Sequence, residues 1–327
     1  MDEVQTRDAP RTAGAARSGE GSRADGRSGG EAPDGSAPPR SRGTARAYYE
    51  LTKPGIAGYV MITAAVSAFV ASRGEIGLAL ALHTMLGTGL ATAGALALNQ
   101  WVERGVDARM RRTRGRPLPS GRLRAGQART FGLLLFGGGV LYLAVLAGWL
   151  PALLAALSAA SYHWVYTPLK SRSYFATLAG GVPGALPTLI GWTAATGGVD
   201  LGGFALFAIA YLWQLPHVLG LAWMLRADYA RVGFKLIPPH DDAGRVIGLH
   251  MVMASSALVP VSLVPSVLGY TGAVYFAGAF LASLAFLYVS GRAARRLTDA
   301  SARRVFLASL LYHPVILGLM LLDTVPL

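Results

Sequence analysis

The chain has 327 residues, 53% of them hydrophobic and only 14% charged, with a mean hydropathy of +0.42. That balance excludes an ordinary soluble domain and indicates a polytopic membrane protein. The formal net charge is +13, but outside the N-terminal stretch the cations lie almost entirely in short loops between apolar runs, which assigns them to a membrane surface and excludes nucleic acid as partner. Cysteine is absent, so disulfides, thiolate catalysis, iron–sulfur ligation and covalent haem attachment through Cys-x-x-Cys-His are excluded.

Residues 1–46 are rich in Gly, Ala, Ser, Arg and Pro and nearly devoid of large apolar side chains. Such a segment buries too little surface to offset its ordering entropy, which predicts a disordered tail. A transit peptide would share the Arg and Ser, but seven acidic residues (Asp2, Glu3, Asp8, Glu20, Asp25, Glu31 and Asp34) argue against it, and no apolar core of a signal peptide is present. The remainder, 47–327, reads as one transmembrane domain.

A bilayer core of roughly 30 Å needs about 20 apolar residues per helix. From Gly55 onward nine stretches meet that need, at about 55–72, 77–101, 130–148, 150–168, 174–195, 203–223, 246–267, 271–291 and 305–322. The third and fourth abut at Trp149-Leu-Pro151 and predict a tight hairpin. The loops after the second, fourth, sixth and eighth stretches are basic, whereas the opposite side carries only Arg73. The positive-inside rule then places the N-terminus and all four basic loops in the cytoplasm and the C-terminus outside.

The chemistry-bearing residues collect at those basic loops. Asn99, Glu103 and Asp107 follow one another at four-residue spacing where the second stretch ends. On a helix that spacing drifts only about 40° per step, so one face presents an amide oxygen and two carboxylates, the hard ligands Mg²⁺ takes. The plainer alternative is a helix end turning polar, its acids paired with Arg104 or Arg109. Eight arginines fall between Arg104 and Arg124, in a loop whose Pro117, Pro119 and Gly121 constrain the backbone. An arginine loop beside carboxylates suits a metal–diphosphate site, and it also serves simply as a positive-inside loop.

Tyr166-Thr-Pro-Leu-Lys170 closes the fourth stretch on the same side, with Arg172 just beyond. Lys170 could put a point charge on a diphosphate or merely snorkel. In Trp213-Gln-Leu-Pro-His217, Pro216 predicts a kink or broken helix that sets His217 against freed carbonyls, although a lone intramembrane His is commonly an interhelical hydrogen-bonder. Asp228 could complete a two-sided metal site opposite Asp107, or pair with Arg231. His163 and His313 are weaker candidates; His83, His240, His250 and Asp323 carry no functional signal.

Taken together, several blocks resemble the UbiA superfamily of intramembrane prenyltransferases, and within it the protoheme IX farnesyltransferase (heme O synthase) branch. They are Leu51-Thr-Lys-Pro-Gly55, Asn99…Glu103…Asp107, Arg116-Pro-Leu-Pro-Ser-Gly-Arg122, Tyr166-Thr-Pro-Leu-Lys170, Gly181-Val-Pro-Gly-Ala-Leu-Pro187, Trp213-Gln-Leu-Pro-His217 and Asp228-Tyr229. The likeness runs from about residue 48 to the end. It implies an all-α integral membrane fold, about nine transmembrane helices in a UbiA-type bundle with a cytoplasm-facing site.

By the same resemblance, Mg²⁺ would sit on Asn99, Glu103, Asp107 and Asp228, and Arg112, Arg116, Lys170 and Arg172 would hold the diphosphate. The substrates would be farnesyl diphosphate and heme B, giving heme O, with His217 contacting heme. The enzyme would lie in a bacterial inner membrane, with a heme A synthase as possible downstream partner. The sequence departs from the family pattern at Glu103, where Asp is usual, at Gly105, where the branch often has a further Asp, and at Val232, where the second motif commonly ends in Asp. Prenylation of a quinone precursor or chlorophyllide, a transporter and a non-catalytic heme-binding assembly factor are the competing readings.

Overall fold

A computed structural model of the protein describes residues 41–326. The tail read over 1–46 therefore lies outside the described residues as far as residue 40. From Ser41 the expectation is corrected, because Ser41–Leu51 is a helix, α1. The reason is local burial: Ala47 and Leu51 are fully enclosed against Ala97, Leu123 and Ala128. Arg122 also donates to Glu50 at 2.6 Å, which holds the Glu50 carboxyl below its usual range.

The described chain is helical, with one isolated bridge between Thr271 and Thr324. Long helices run over Pro54–Ala71 (α2), Leu78–Val102 (α3), Ala125–Leu146 (α5), Ala176–Thr196 (α8), Leu201–Met224 (α9), Arg245–Val261 (α11), Ala273–Arg295 (α13) and Asp299–Leu322 (α14). Between them lie the short helices α4 (Arg104–Asp107), α7 (Thr167–Leu169), α10 (Arg226–Arg231) and α12 (Val264–Val267). The fourth predicted span is composite: α6 (Trp149–Ala160) passes into a π-helical turn over Ser161–Tyr166 and then into α7.

All nine predicted stretches thus coincide with helix, but among the described residues seven elements are both long and apolar enough to cross a membrane. The other two are the composite α6–α7 segment and α8, whose Gly, Pro and Thr dilute its hydropathy. The protein is an integral membrane protein whose exposed Leu, Val and Phe side chains face the lipid.

Lipid tails are as apolar as leucine, so helices here associate by close packing and not by expulsion of water. Glycines set the closest approaches. A Cβ on Gly94 would stand 2.3 Å from the Phe136 backbone nitrogen, and one on Gly139 the same distance from that of Ala91, which locks α3 to α5. A Cβ on Gly191 would stand 1.9 Å from the Ala64 carbonyl oxygen, where α2 crosses α8. Ser67 seals that crossing by donating to the Thr188 carbonyl at 2.6 Å.

Of the kink or break predicted at Pro216, the break is not formed, since Pro216 lies inside a continuous α9. Nearby, the Gln214 side-chain amide donates to the carbonyls of Gly181 and Ala210 and ties α9 to α8.

Candidate active site

The polar ends of α3 and of the π-helical segment face one another at the arginine-rich end of the bundle. Asn99 lies in the last turn of α3 and is 1% exposed. The helix does not continue past it as one face: it stops at Val102, Glu103 caps it, and the four-residue α4 carries Asp107 inward. Asp107 is also 1% exposed. The three side chains nonetheless line one cavity, together with Lys53, Arg112, Arg116, Tyr162, Tyr166 and Lys170.

The arginine loop is compact because its own backbone closes it. Thr113 donates to the Asp107 carbonyl at 2.8 Å, and Leu123 N–H reaches back to the Pro117 carbonyl. Gly121 supplies the left-handed turn, with φ of +73°. Met110, Thr113 and Leu123 are buried beneath it. This geometry brings Arg116 Nη1 to 2.7 Å from Asp107 Oδ2. Asp107 Oδ1 has no partner among the described residues although it is buried.

Across the cavity Lys170 Nζ donates to Glu103 Oε1 at 2.7 Å, and both groups are largely enclosed. The ammonium also sits 4.6 Å from the centre of the Tyr166 ring. Lys170 is anchored through its backbone, whose carbonyl accepts from Lys235 N–H at 2.7 Å.

Each predicted site residue can now be placed. Asn99, Glu103, Asp107, Arg112, Arg116 and Lys170 come together. Asp228 does not line the cavity: α9 ends at Met224 and α10 is a separate short helix, so the neighbouring Tyr229 faces inward while Asp228 accepts from Arg231 at 3.0 Å. Arg172 is exposed on the turn before α8 and does not line the cavity.

His217 lies between α9 and α14, away from the cavity. Its Nδ1 pairs with Ser309 Oγ at 2.8 Å, and its ring stacks on Phe306 at 4.6 Å. That pair engages Nδ1 of His217 and ties α9 to α14. His163 bonds the Ala95 carbonyl at 3.1 Å, and His313 is buried beside Tyr59 and stacked on Trp213.

Among the cavity residues with no site assignment in the sequence, two stand out. Lys53 adopts φ 45° and ψ 64°, a left-handed conformation that costs a non-glycine residue about 1–3 kcal/mol. Pro54 explains part of this by disfavouring the right-handed helical region at position 53. Enclosure, with a smaller contribution from Arg116, lowers the Lys53 ammonium to about 8 against the opposing pull of Glu103 and Asp107. A Lys-Pro pair opening a helix was the available signal. Tyr162 is the second. The π-helical turn, a form that concentrates at functional sites, aims it at the cavity.

An apolar groove extends inward from the polar cavity, with Ile56 and Tyr162 lining both. Small residues of α3, α6 and α8 form its walls, among them Ala91, Ala95, Ala155, Ala159 and Gly184. A charged mouth beside an apolar slot inside a membrane bundle suits an amphipathic ligand with an anionic head.

Comparison with known proteins agrees. The model of the UbiA prenyltransferase family matches residues 60–312, and the chain belongs to that family. It is 44% identical to the protoheme IX farnesyltransferase of Solibacter usitatus, covering 85% of this chain and 98% of that protein. It is 42% identical to the enzyme of the same name from Myxococcus xanthus, over 84% and 94% respectively.

Among solved structures, a digeranylgeranylglyceryl phosphate synthase aligns with a TM-score of 0.72 at 16% identity, covering 85% of this chain and 98% of that one. A UbiA homologue from Archaeoglobus fulgidus bound to DMAPP and Mg²⁺ aligns with a TM-score of 0.59 at 12% identity, over 84% and 98%. These structural likenesses establish the fold.

The cavity fits a hard divalent cation. Asp107 Oδ1 is a buried carboxylate oxygen without a partner, and Glu103 and Asn99 line the same space. Among the described residues no group of three or more His, Cys, Asp and Glu side chains could hold a metal by itself. That suits Mg²⁺, which binds through one or two carboxylates and completes its shell with water and phosphate oxygens.

Proposed function

We propose that this protein transfers the farnesyl group of farnesyl diphosphate to a vinyl group of heme B, with addition of water, giving heme O. The observation that carries prenyl transfer is the continuity of the charged mouth with the apolar groove through Ile56 and Tyr162. The choice of heme B as acceptor rests on the relatives at 44% and 42% identity. Membership of a prenyltransferase family disfavours the transporter and the assembly-factor readings.

In this reading Asn99, Glu103 and Asp107 hold Mg²⁺, which when bound supplies Lewis-acid stabilisation of the departing diphosphate. Lys53, Lys170, Arg112 and Arg116 neutralise the charge that develops as the bond from C1 to oxygen breaks. Lys170 and Arg116 are positioned in advance by their pairs with Glu103 and Asp107, so little reorganisation of these two accompanies reaction. Tyr162 and Tyr166 shield the allylic cation from bulk water and present their ring faces to it. The heme vinyl carbon then forms its bond to C1, and water adds to the resulting cation and releases a proton.

The mouth opens on the basic side, which the positive-inside rule places in the cytoplasm of a bacterial inner membrane. A heme A synthase would consume the product.

The test incubates purified protein in detergent with heme B, farnesyl diphosphate and Mg²⁺ and analyses the hemes by chromatography and mass spectrometry. A more hydrophobic heme carrying farnesyl plus water, abolished by EDTA, is expected. Turnover of a phenolic acceptor with heme left unchanged would replace heme B by a quinone precursor.

Two substitutions probe the mouth. Lys53→Met is expected to raise KM for farnesyl diphosphate about tenfold, the loss of one charge-assisted contact of about 1.5 kcal/mol. A KM unchanged in steady-state assays would remove Lys53 from the site. Asp228→Asn is expected to leave kcat/KM within about twofold, since exposed i,i+3 pairs contribute only a few tenths of a kcal/mol. A hundredfold loss would return Asp228 to the metal.

A further inference from the structure

The groove has a floor. Along α3, Asn99 stands at the mouth and Thr88 at the far end of the apolar lining, eleven residues away. At a rise of 1.5 Å per residue that is about 16 Å. On α8 the lining runs from Gly180 to Ile190, about 15 Å by the same rise. The apolar lining thus reaches Thr88 on α3 and Ile190 on α8.

Both end residues are closed off behind, Thr88 being 1% and Ile190 2% exposed. Ile190 belongs to a packed cluster with Ala91, Leu143, Ala152 and Ala155, so nothing longer can pass without displacing core. Its position is fixed by the crossing at Gly191 and Ala64. The Thr88 hydroxyl has no partner among the described residues, whereas Thr84, one turn earlier, donates to the Leu80 carbonyl at 2.8 Å. A buried hydroxyl left unpaired is costly, and the π-face of a terminal alkene reaching it would be a weak acceptor.

The depth can be compared with prenyl chains. With carbon–carbon bonds of about 1.5 Å, an extended farnesyl backbone of twelve carbons spans about 14 Å, geranyl about 9 Å and geranylgeranyl about 19 Å. Farnesyl fills the groove, geranyl leaves its end empty and geranylgeranyl overruns it.

We propose that Thr88 and Ile190 form a chain-length stop that makes the enzyme selective for three isoprene units, an inference that rests on the prenyl-transfer reading above. The test offers the purified full-length protein equimolar geranyl, farnesyl and geranylgeranyl diphosphates with heme B and Mg²⁺, and reads the ratio of prenylated hemes by mass spectrometry. Wild type should yield chiefly the farnesyl product. Ile190→Ala deepens the groove and should raise the geranylgeranyl-to-farnesyl ratio at least tenfold. Thr88→Phe shortens it and should raise the geranyl-to-farnesyl ratio at least tenfold.

The two variants act in opposite directions, so a folding defect cannot imitate both shifts. Ile190→Ala, which only removes atoms, keeps the test open if Thr88→Phe fails to fold. Wild-type product ratios in a folded, active Ile190→Ala protein would overturn the stop while leaving prenyl transfer intact. Absence of any prenylated heme from wild type would overturn the prenyl-transfer reading, and the stop with it.

Discussion

Asp107→Asn should reduce kcat/KM for farnesyl diphosphate on the order of 10³-fold, about 4 kcal/mol of transition-state stabilisation. The substitution preserves shape. Arg116 can still donate to the Asn carbonyl oxygen, and Thr113 still closes on the backbone carbonyl at position 107. What disappears is the negative charge at a side chain only 1% exposed, one of whose oxygens is otherwise without a partner. The Mg²⁺ concentration for half-maximal rate should rise at least tenfold, which a purely structural role would not produce. Arg116 is 21% exposed and can hydrate when its partner is neutralised, so elution from size exclusion should remain that of wild type. Steady-state kinetics within threefold of wild type would sink the assignment of Asp107 to the metal.

Gly191→Ala should cost about 3 kcal/mol, the upper range for overpacking in a core, because the added carbon would lie 1.9 Å from a backbone oxygen that cannot rotate away. Either α2 retreats from α8 or the Ser67 to Thr188 hydrogen bond opens. Both outcomes also displace Ile190 and the end of the groove. The same substitution at Gly137, an exposed helical glycine with nothing near its would-be Cβ, should be neutral or stabilise by about 0.5–1 kcal/mol through helix propensity alone. Thermal melting in detergent separates the two. Equal midpoints would mean that the α2–α8 crossing is looser than the structure has it.

The pattern of apolar stretches placed every long helix, because lipid solvation demands a long run of apolar residues and that demand is local. Charge in the loops likewise identified one end of the bundle as different from the other. Where the reading failed, the cause was packing between segments. Ala47 and Leu51 make a helix of a stretch that by composition continues a tail, since their burial depends on Ala97, Leu123 and Ala128 far along the chain.

The site divides in the same way. Asn99, Glu103 and Asp107 were legible as one group because helical spacing is a property of neighbours in sequence, even though the helix breaks at Glu103. Lys170 and Arg116 were legible as charges in the right loops, but their partners were not. Of the two readings of Asp228, the structure shows the pair with Arg231, and the short helix α10 decides that orientation. The pairing of His217 with Ser309 was not legible because the two lie 92 residues apart.

By itself, then, the sequence determined that this chain is a helical membrane protein with oxygen ligands and arginines gathered at its basic end, and its motifs carried the resemblance to prenyltransferases. Only the tertiary structure decided that Lys53 and Tyr162 line the same cavity, that Asp228 pairs with Arg231 and His217 with Ser309, and that the lining of the groove reaches Thr88 and Ile190. The physical reason is one of range. Hydropathy and helical period act over a few residues, whereas a cavity is the space left where distant helices meet, and its walls are chosen by close glycine crossings that no local pattern records.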